Sequence, residues 1–297
     1  MSDQTFHERC RALAGALEPV AAQVYFAPEC HEAYAKLGFG ASPITISGTA
    51  MPDGPAYFCS RGSVMGQVAG EVVAAAFAVF NPEVVVPAVR HGWSLTDAAT
   101  ICAARTDGAR AQLTRILGPE PEGLDRALEL LRQANEGLRP EGRPLFAGLL
   151  SCGLPGDRLG DVWRLADRLR EYRGDGHTAA WTTAGLDAVE IGLLTELFWG
   201  LALRTYVRTR GWSDEDLAAA EQRLEDRGWI SGGSFTDEGR RQREEIEWVT
   251  DRSYRAVMEA LGDDLDELVG ILLPWGKAIR QEGGYPAGPQ DLARRAG

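Results

Sequence analysis

The residues best equipped for chemistry stand together in Arg173-Gly174-Asp175-Gly176-His177-Thr178. Glycine reaches backbone torsions that other residues resist, so two glycines around an aspartate predict a tight turn. A helix is then expected to begin at about His177, with Asp175 placed to cap its free amides. An imidazole in the first helical turn meets the positive end of the dipole, which disfavours its protonated form. A neutral histidine can serve as a general base or as an uncharged hydrogen-bonding group. In this reading His177 is the base, Asp175 orients it, and Arg173 anchors an anionic ligand group. Trp181, one turn further on, could stack on a planar ligand. The plainer alternative is a capped helix start whose histidine bonds a neighbouring loop.

A second candidate is Tyr57-Phe58-Cys59-Ser60-Arg61-Gly62-Ser63, which runs into the apolar stretch 64–80. If a helix opens at 64, its free amides with Ser60 and Arg61 suit a carboxylate or phosphate, and Tyr57 and Phe58 offer apolar contact. The alternative is a polar loop in which Arg61 pairs with a buried acid. Gly62-x-x-x-Gly66 lacks the lysine of a phosphate loop. The four histidines (His7, His31, His91, His177) share no metal-ligand spacing, so neither a metal nor a cofactor is expected. Cys10, Cys30, Cys59, Cys102 and Cys152 show no C-x-x-C pair and read as reduced, core or half-buried thiols.

Helical periodicity supplies the elements that must hold these residues. Leu13, Leu17, Val20 and Val24 repeat at three- and four-residue spacing within a helix over 6–26, and Pro28 opens a short one to about Leu37. Ile44-Thr45-Ile46 reads as a short strand. Residues 64–80 read as one all-apolar, buried helix stopped at Asn81-Pro82. Further helices are expected at 83–91, 95–117, 122–137, 157–171, 177–204, 214–227, 236–261 and 264–281, with an irregular tail from Gly283. The proline- and glycine-rich stretch 137–156 reads as a linker between domains at 1–140 and 157–297. A likeness between 17–39 and 186–212, both apolar helices ending in Gly-aromatic, suggests a duplicated unit.

Residues 213–239 form a winged-helix pattern: a helix, an Arg-Gly-aromatic-Ile turn, a glycine hairpin, and Thr-Asp-Glu-Gly opening the next helix. The fold class expected is therefore mainly α, tandem winged-helix-like, with small β wings and two helical halves. In a DNA reader of this type, the helix before the turn faces a dense line of phosphates. Here that helix carries Asp214, Glu215, Asp216, Glu221, Glu225 and Asp226 against Arg223 and Arg227 alone, and the wing Ser231-Gly232-Gly233-Ser234 carries no base. The whole chain has a formal net charge of −12 over 297 residues, which disfavours nucleic acid and anionic membrane as partners. No basic-plus-apolar leader stands at the N-terminus and no uncharged apolar run is long enough to span a bilayer, so a cytoplasmic protein is expected.

Leu224-Glu225-Asp226-Arg227-Gly228-Trp229-Ile230, followed by Phe235-Thr236-Asp237-Glu238-Gly239-Arg240, resembles the recognition-helix end and wing of MarR-type regulators. That resemblance implies a homodimer on palindromic DNA with small ligands between its domains. More of the chain is similar to an uncharacterised actinobacterial winged-helix family, through Glu18-Pro19-Val20, Tyr25-Phe26, Arg61, Met65-Gly66, Phe80-Asn81-Pro82, Tyr172 to His177, and Ala179-Ala180. This implies a fold rather than an activity. The acidic helix and base-free wing depart from the regulators.

Three functions follow. The first is a small-molecule-binding protein, or a cofactor-independent enzyme in which His177 moves a proton on an apolar or aromatic metabolite. Its pocket would lie between the halves. The second is a MarR-like, ligand-responsive transcription regulator. The third is an interaction module whose acidic helix docks a basic protein.

Overall fold

The computed structural model describes residues 3–289. Its first helix, α1 (Asp3–Ala22), buries Phe6, Cys10, Leu13, Leu17 and Val20 along one face, as their spacing predicts. A 3-10 turn (Gln23–Phe26) leads to α2 (Pro28–Lys36), then to a hairpin of β1 (Thr45–Ile46) and β2 (Thr49–Ala50), and to α3 (Gly54–Gly62). The hairpin pairs Thr45 with Ala50 and Ile46 with Thr49, and both turn residues, Ser47 and Gly48, have positive φ. Such a turn matches the twist of the strands it joins.

The expected helix over 64–80 does not form. A 3-10 turn at Ser63–Met65 ends at Gly66, whose φ of +84° stops the helix, and α4 covers only Gly70–Phe77. Its Glu71, Val72 and Ala75 are exposed, so apolar composition did not mean full burial. Then come α5 (Pro82–Leu95), α6 (Ala98–Leu117), α7 (Leu124–Asn135) and α8 (Pro144–Ser151). The stretch 137–156 thus contains a helix whose Leu145, Phe146 and Leu149 are buried.

The longest element is α9 (Arg158–Thr183), 26 residues that run unbroken through Gly174-Asp175-Gly176. The turn expected there is overruled by packing. Each glycine costs a helix about 1 kcal/mol relative to alanine, but α9 buries Trp163, Leu169, Tyr172 and Trp181. Gly176 is needed for close approach: a Cβ there would lie 2.3 Å from Ser253 Oγ. The expected helix over 177–204 is instead the end of α9 and α10 (Ala188–Phe198), parted at Gly185 and restarted by a capping box of Asp187 and Glu190.

A 3-10 turn (Tyr206–Arg210) precedes α11 (Asp214–Asp226), the hairpin β3 (Ile230–Ser231) with β4 (Ser234–Phe235), α12 (Asp237–Ser253), α13 (Arg255–Leu261) and α14 (Leu265–Gln281). Turns and bends follow to Gly288, and the end of the tail expected to be irregular lies outside the described residues.

The order helix, 3-10 turn, helix, hairpin, helix therefore occurs twice, as α1 to α3 and as α10 to α12. The hairpins share their two-residue turn, since Gly232 and Gly233 also have positive φ. Each is followed by a capped helix: Asp53 accepts from the Ala56 amide, Thr236 from the Gly239 amide. The correspondence is shifted from the one expected. Gly38-Phe39 follows α2 as Gly228-Trp229 follows α11, so its partner is not Gly211-Trp212. A larger core gathers α1 to α9, α13 and α14, and a smaller one gathers α10, α11, β3 and Ile246 of α12 around Ala180 and Trp181 of α9. Helix α9 belongs to both. No helix among the described residues is long and apolar enough to cross a membrane.

Candidate functional site

Helix α9 gathers charge where the two units meet it. From the first unit, Arg61 at the end of α3 donates to both oxygens of Glu171, at 2.9 and 2.8 Å. Arg170 donates to Glu171 (2.8 Å) and to both oxygens of Glu18 on α1 (2.9 and 3.2 Å). Burial pushes the Glu171 carboxyl up, but the Arg61 and Arg170 guanidiniums outweigh it and hold it at about 2. Arg61 thus lies at the end of α3 rather than before an α-helix opening at 64. Ser60 is buried, with its hydroxyl donated to the Tyr57 carbonyl at 3.3 Å.

From the second unit, α12 presents Glu247, Thr250 and Asp251. Arg173 donates to Glu247 (3.2 Å) and Asp251 (2.7 Å), and Arg243 donates to Glu247 (2.7 Å). Burial raises the Glu247 carboxyl, yet Arg243, His177 and Arg173 bring it down to about 2.

The proton on His177 can be placed from its partners. Thr250 Oγ1 donates its one hydrogen to the Ile246 carbonyl at 2.8 Å, so toward His177 Nδ1 at 3.0 Å it must accept. Nδ1 therefore carries the hydrogen, and Nε2 presents a lone pair with no hydrogen-bond partner among the described residues. Burial lowers the imidazole to about 4, with Glu247 opposing and Arg243 and Arg173 assisting. The ring is neutral as expected, but desolvation is the cause. His177 lies in the last third of α9, far from its N-terminal end, and Thr250 rather than Asp175 orients it. Residues two apart on a helix do not face each other. Asp175 turns away and accepts from the Phe146 amide (3.0 Å), capping α8 instead of its own helix. Burial raises that carboxyl to about 7.

Two cavities open on this network. A polar one of about 210 Å³ is lined by Arg61, Arg170, Arg173, Gly174, His177 and Tyr254. An aromatic one of about 240 Å³ is lined by Tyr25, Tyr57, Phe58, Phe80, Tyr206 and Tyr285 among others. Glu18 and Arg170 line both, and Tyr285 donates to Glu18 at 3.1 Å. The structure thus brings Arg61, Arg173 and His177 to one cavity and Tyr57 and Phe58 to its neighbour. Ser60 and Trp181 line neither, and Trp181 is packed in the smaller core, 5% exposed. Asp175 lines a separate cavity with Arg143. Glu171, Arg170, Tyr206 and Tyr285 were not singled out from the sequence. Arg170-Glu171 stands just ahead of the glycine motif, and an adjacent base and acid on a helix between apolar residues is the signal that pointed there. No group of three or more His, Cys, Asp and Glu among the described residues is arranged to hold a metal.

Helix α11 is open along its outer face, with Asp214, Glu215, Asp216, Glu225 and Asp226 exposed. Its two bases are already engaged: Arg223 with Asp187 and Glu190, Arg227 with the Gly185 carbonyl and Glu190.

A model of the helix-turn-helix family matches residues 10–286. No curated protein and no solved structure matches the chain. With nearly its whole length matched, the chain belongs to the helix-turn-helix family.

Proposed function

We propose that this helix-turn-helix protein binds a small, planar, largely apolar molecule between its two winged-helix units, and that α11 does not read DNA. One observation carries the reading: the aromatic cavity is walled by both units, with Tyr25, Tyr57 and Phe58 from the first and Tyr206 from the second. Its rings pack edge to face, Tyr25 on Tyr57 at 5.2 Å and Phe58 on Phe80 at 5.2 Å, which leaves ring faces and edges for a flat guest. Arg210 stacks over Phe80 and Tyr206, at 4.6 and 4.5 Å. A polar substituent extending past Glu18 and Arg170 reaches the second cavity, where His177 Nε2 accepts a hydrogen bond. Few convergent polar groups beside an apolar wall are the usual make-up of a ligand site. With its imidazole at about 4, His177 is a weak base at neutral pH, so recognition is its primary role and proton transfer without a cofactor the stronger form of the proposal.

The test is native mass spectrometry of freshly purified protein, followed by fluorescence titration with a panel of planar aromatic compounds. A non-covalent adduct or micromolar binder that Phe80→Ala weakens at least about tenfold is expected. A bare mass together with no binder tighter than millimolar sinks the reading.

Membership of a helix-turn-helix family is compatible with a second reading, a regulator that binds DNA in the manner of the MarR type. An exposed helix with five acids on its outer face gains no counterion release from a duplex. Nanomolar binding of a labelled duplex in low-salt anisotropy would establish that reading over the first.

A further inference from the structure

Away from both cavities, two cysteines distant in sequence meet. Cys102 on α6 and Cys152, the residue after α8, place their sulfurs 3.8 Å apart. They line a further opening, of about 510 Å³, with Ala99, Ala103, Leu154 and Arg164. Arg164 is only 2% exposed. Its Nη2 donates to Thr106 Oγ1 at 2.8 Å, while Nε and Nη1 have no hydrogen-bond partner and the nearest carboxylate, Asp167, stands 3.9 Å from Nη1. A buried guanidinium with unused donors is uncommon, because each unmade bond costs free energy. Here those donors belong to a residue lining the same opening as the two sulfurs.

We propose that Cys102 and Cys152 are a redox-active thiol pair, with Cys102 the nucleophile toward a hydroperoxide and Cys152 the resolving thiol. The sulfurs need to close by roughly 2 Å to reach disulfide length, and Cys152 ends a helix just before the glycine-bounded loop Gly153 to Gly156, where such a shift is local. In the first step the Cys102 thiolate attacks the near peroxide oxygen. The S–O bond forms, the O–O bond breaks, and the departing hydroxide or alkoxide takes a proton from water. In the second, Cys152 sulfur attacks the sulfenic sulfur, the S–S bond forms, and the hydroxide leaves as water with the Cys152 proton. Two electrons pass from the thiol pair to the peroxide, and an external dithiol restores the pair by exchange. Arg164 donors stabilise the thiolate and the departing oxygen. Geometry separates the roles: the one hydrogen of Cys152 has a carbonyl acceptor, Gly148 at 3.4 Å, so Cys152 is the thiol that stays protonated. The contact with Cys152, against burial and helped by Arg105 and Arg164, lowers Cys102. Burial instead drives Cys10, Cys30 and Cys59 up to about 12.

This inference is independent of the aromatic cavity. The experiment treats the full chain at neutral pH with hydrogen peroxide, quenches with an alkylating reagent and maps the peptides by mass. A Cys102–Cys152 cross-link, lighter by two hydrogens, is expected to form at least about tenfold faster than any change at the other thiols. Cys152→Ser should accumulate a dimedone adduct on Cys102, and Cys102→Ser, checked as folded by circular dichroism, should give neither product. Arg164→Gln should move the midpoint of the pH–rate profile upward, and Arg164→Lys should restore most of it. Dimedone on Cys152, no adduct in Cys152→Ser, or oxidation of Cys102→Ser at the wild-type rate overturns the pair. An unmoved midpoint in Arg164→Gln overturns the part assigned to Arg164.

Discussion

The two winged-helix units share an element order and a hairpin turn, yet they spend the helix before the hairpin differently. In the first unit α2 is roofed by α6, and Cys30, His31 and Tyr34 are buried beneath it. The approach is so close that a Cβ on Gly108 of α6 would lie 2.4 Å from Cys30 Sγ and 2.8 Å from Cys30 N. In the second unit α11 touches α10 and its own hairpin and leaves its outer face in solvent. The helix after each hairpin then meets α9 with opposite charge. Helix α3 brings the base, Arg61, to Glu171 of α9, whereas α12 brings the acids, Glu247 and Asp251, to Arg173 of α9. One scaffold thus has the helix before the hairpin sealed in one unit and open but acidic in the other. What distinguishes the units is what covers or charges a face, not how the backbone turns.

The largest effect is expected where this exchanged polarity is deepest. Glu171→Gln strips Arg61 and Arg170 of the acid they share inside the larger core, and should cost about 3–5 kcal/mol in urea unfolding. Each change leaves one arginine paired, Arg170 with Glu18 or Arg173 with Asp251, and deprives another, Arg61 or Arg243, of its acid. Glu247→Gln should nonetheless cost less, because Glu247 is the more exposed acid, 10% against 3%. Equal losses would break the comparison. Next, Gly108→Ala should cost about 1–3 kcal/mol by overpacking the roof over α2, whereas Ala219→Gln on the open face of α11 should stay within ~0.5 kcal/mol.

A pH series sharpens the picture around α9. Asp175 has a folded value of about 7, above its ordinary one, so its contribution is full below about pH 4 and fades as pH rises through 7. His177 has a folded value of about 4, below its ordinary one, so its contribution is present above about pH 6.5 and fades as pH falls toward 4. These slopes oppose each other in the intact protein. In Asp175→Asn, which keeps an acceptor for the Phe146 amide, stability should rise by about 2 kcal/mol from pH 4 to 6.5; a flat profile would contradict the His177 assignment, and a wild-type profile as steep as the variant's would contradict that of Asp175. Charge reversal on α11 tests the open face directly. Glu215→Arg, Glu225→Arg and Asp226→Arg together should leave unfolding within about 1 kcal/mol while creating a salt-dependent duplex affinity. If no affinity appears, charge is not what silences this helix.

Much of the second unit was legible because its signals are local. Ser213 and Thr236 are good caps, Gly232-Gly233 suits the hairpin turn, and α11, the wing and α14 fell within a residue or two of expectation. The continuity of α9 was not legible, since glycine propensity is local and the burial of Trp163 and Tyr172 that overrides it depends on distant helices. Helix α8 hid in a proline-rich stretch for the same reason. At the candidate site, the glycines set a turn between Arg173 and His177, so the sequence showed neither that both lie on one helix nor that Asp175 faces its opposite side. Nor could it show that Tyr57 and Phe58 would line one cavity with Tyr206, because nothing in either segment records a proximity across nearly 150 residues.

The 26 residues of α9 span about 39 Å at ~1.5 Å each and contribute side chains to both hydrophobic cores. A beam built into two rooms at once cannot be removed from one of them. Neither unit can melt while the other keeps its half of that helix intact, so heating should give a single cooperative transition, and a chain cut within α9 should lose both units together.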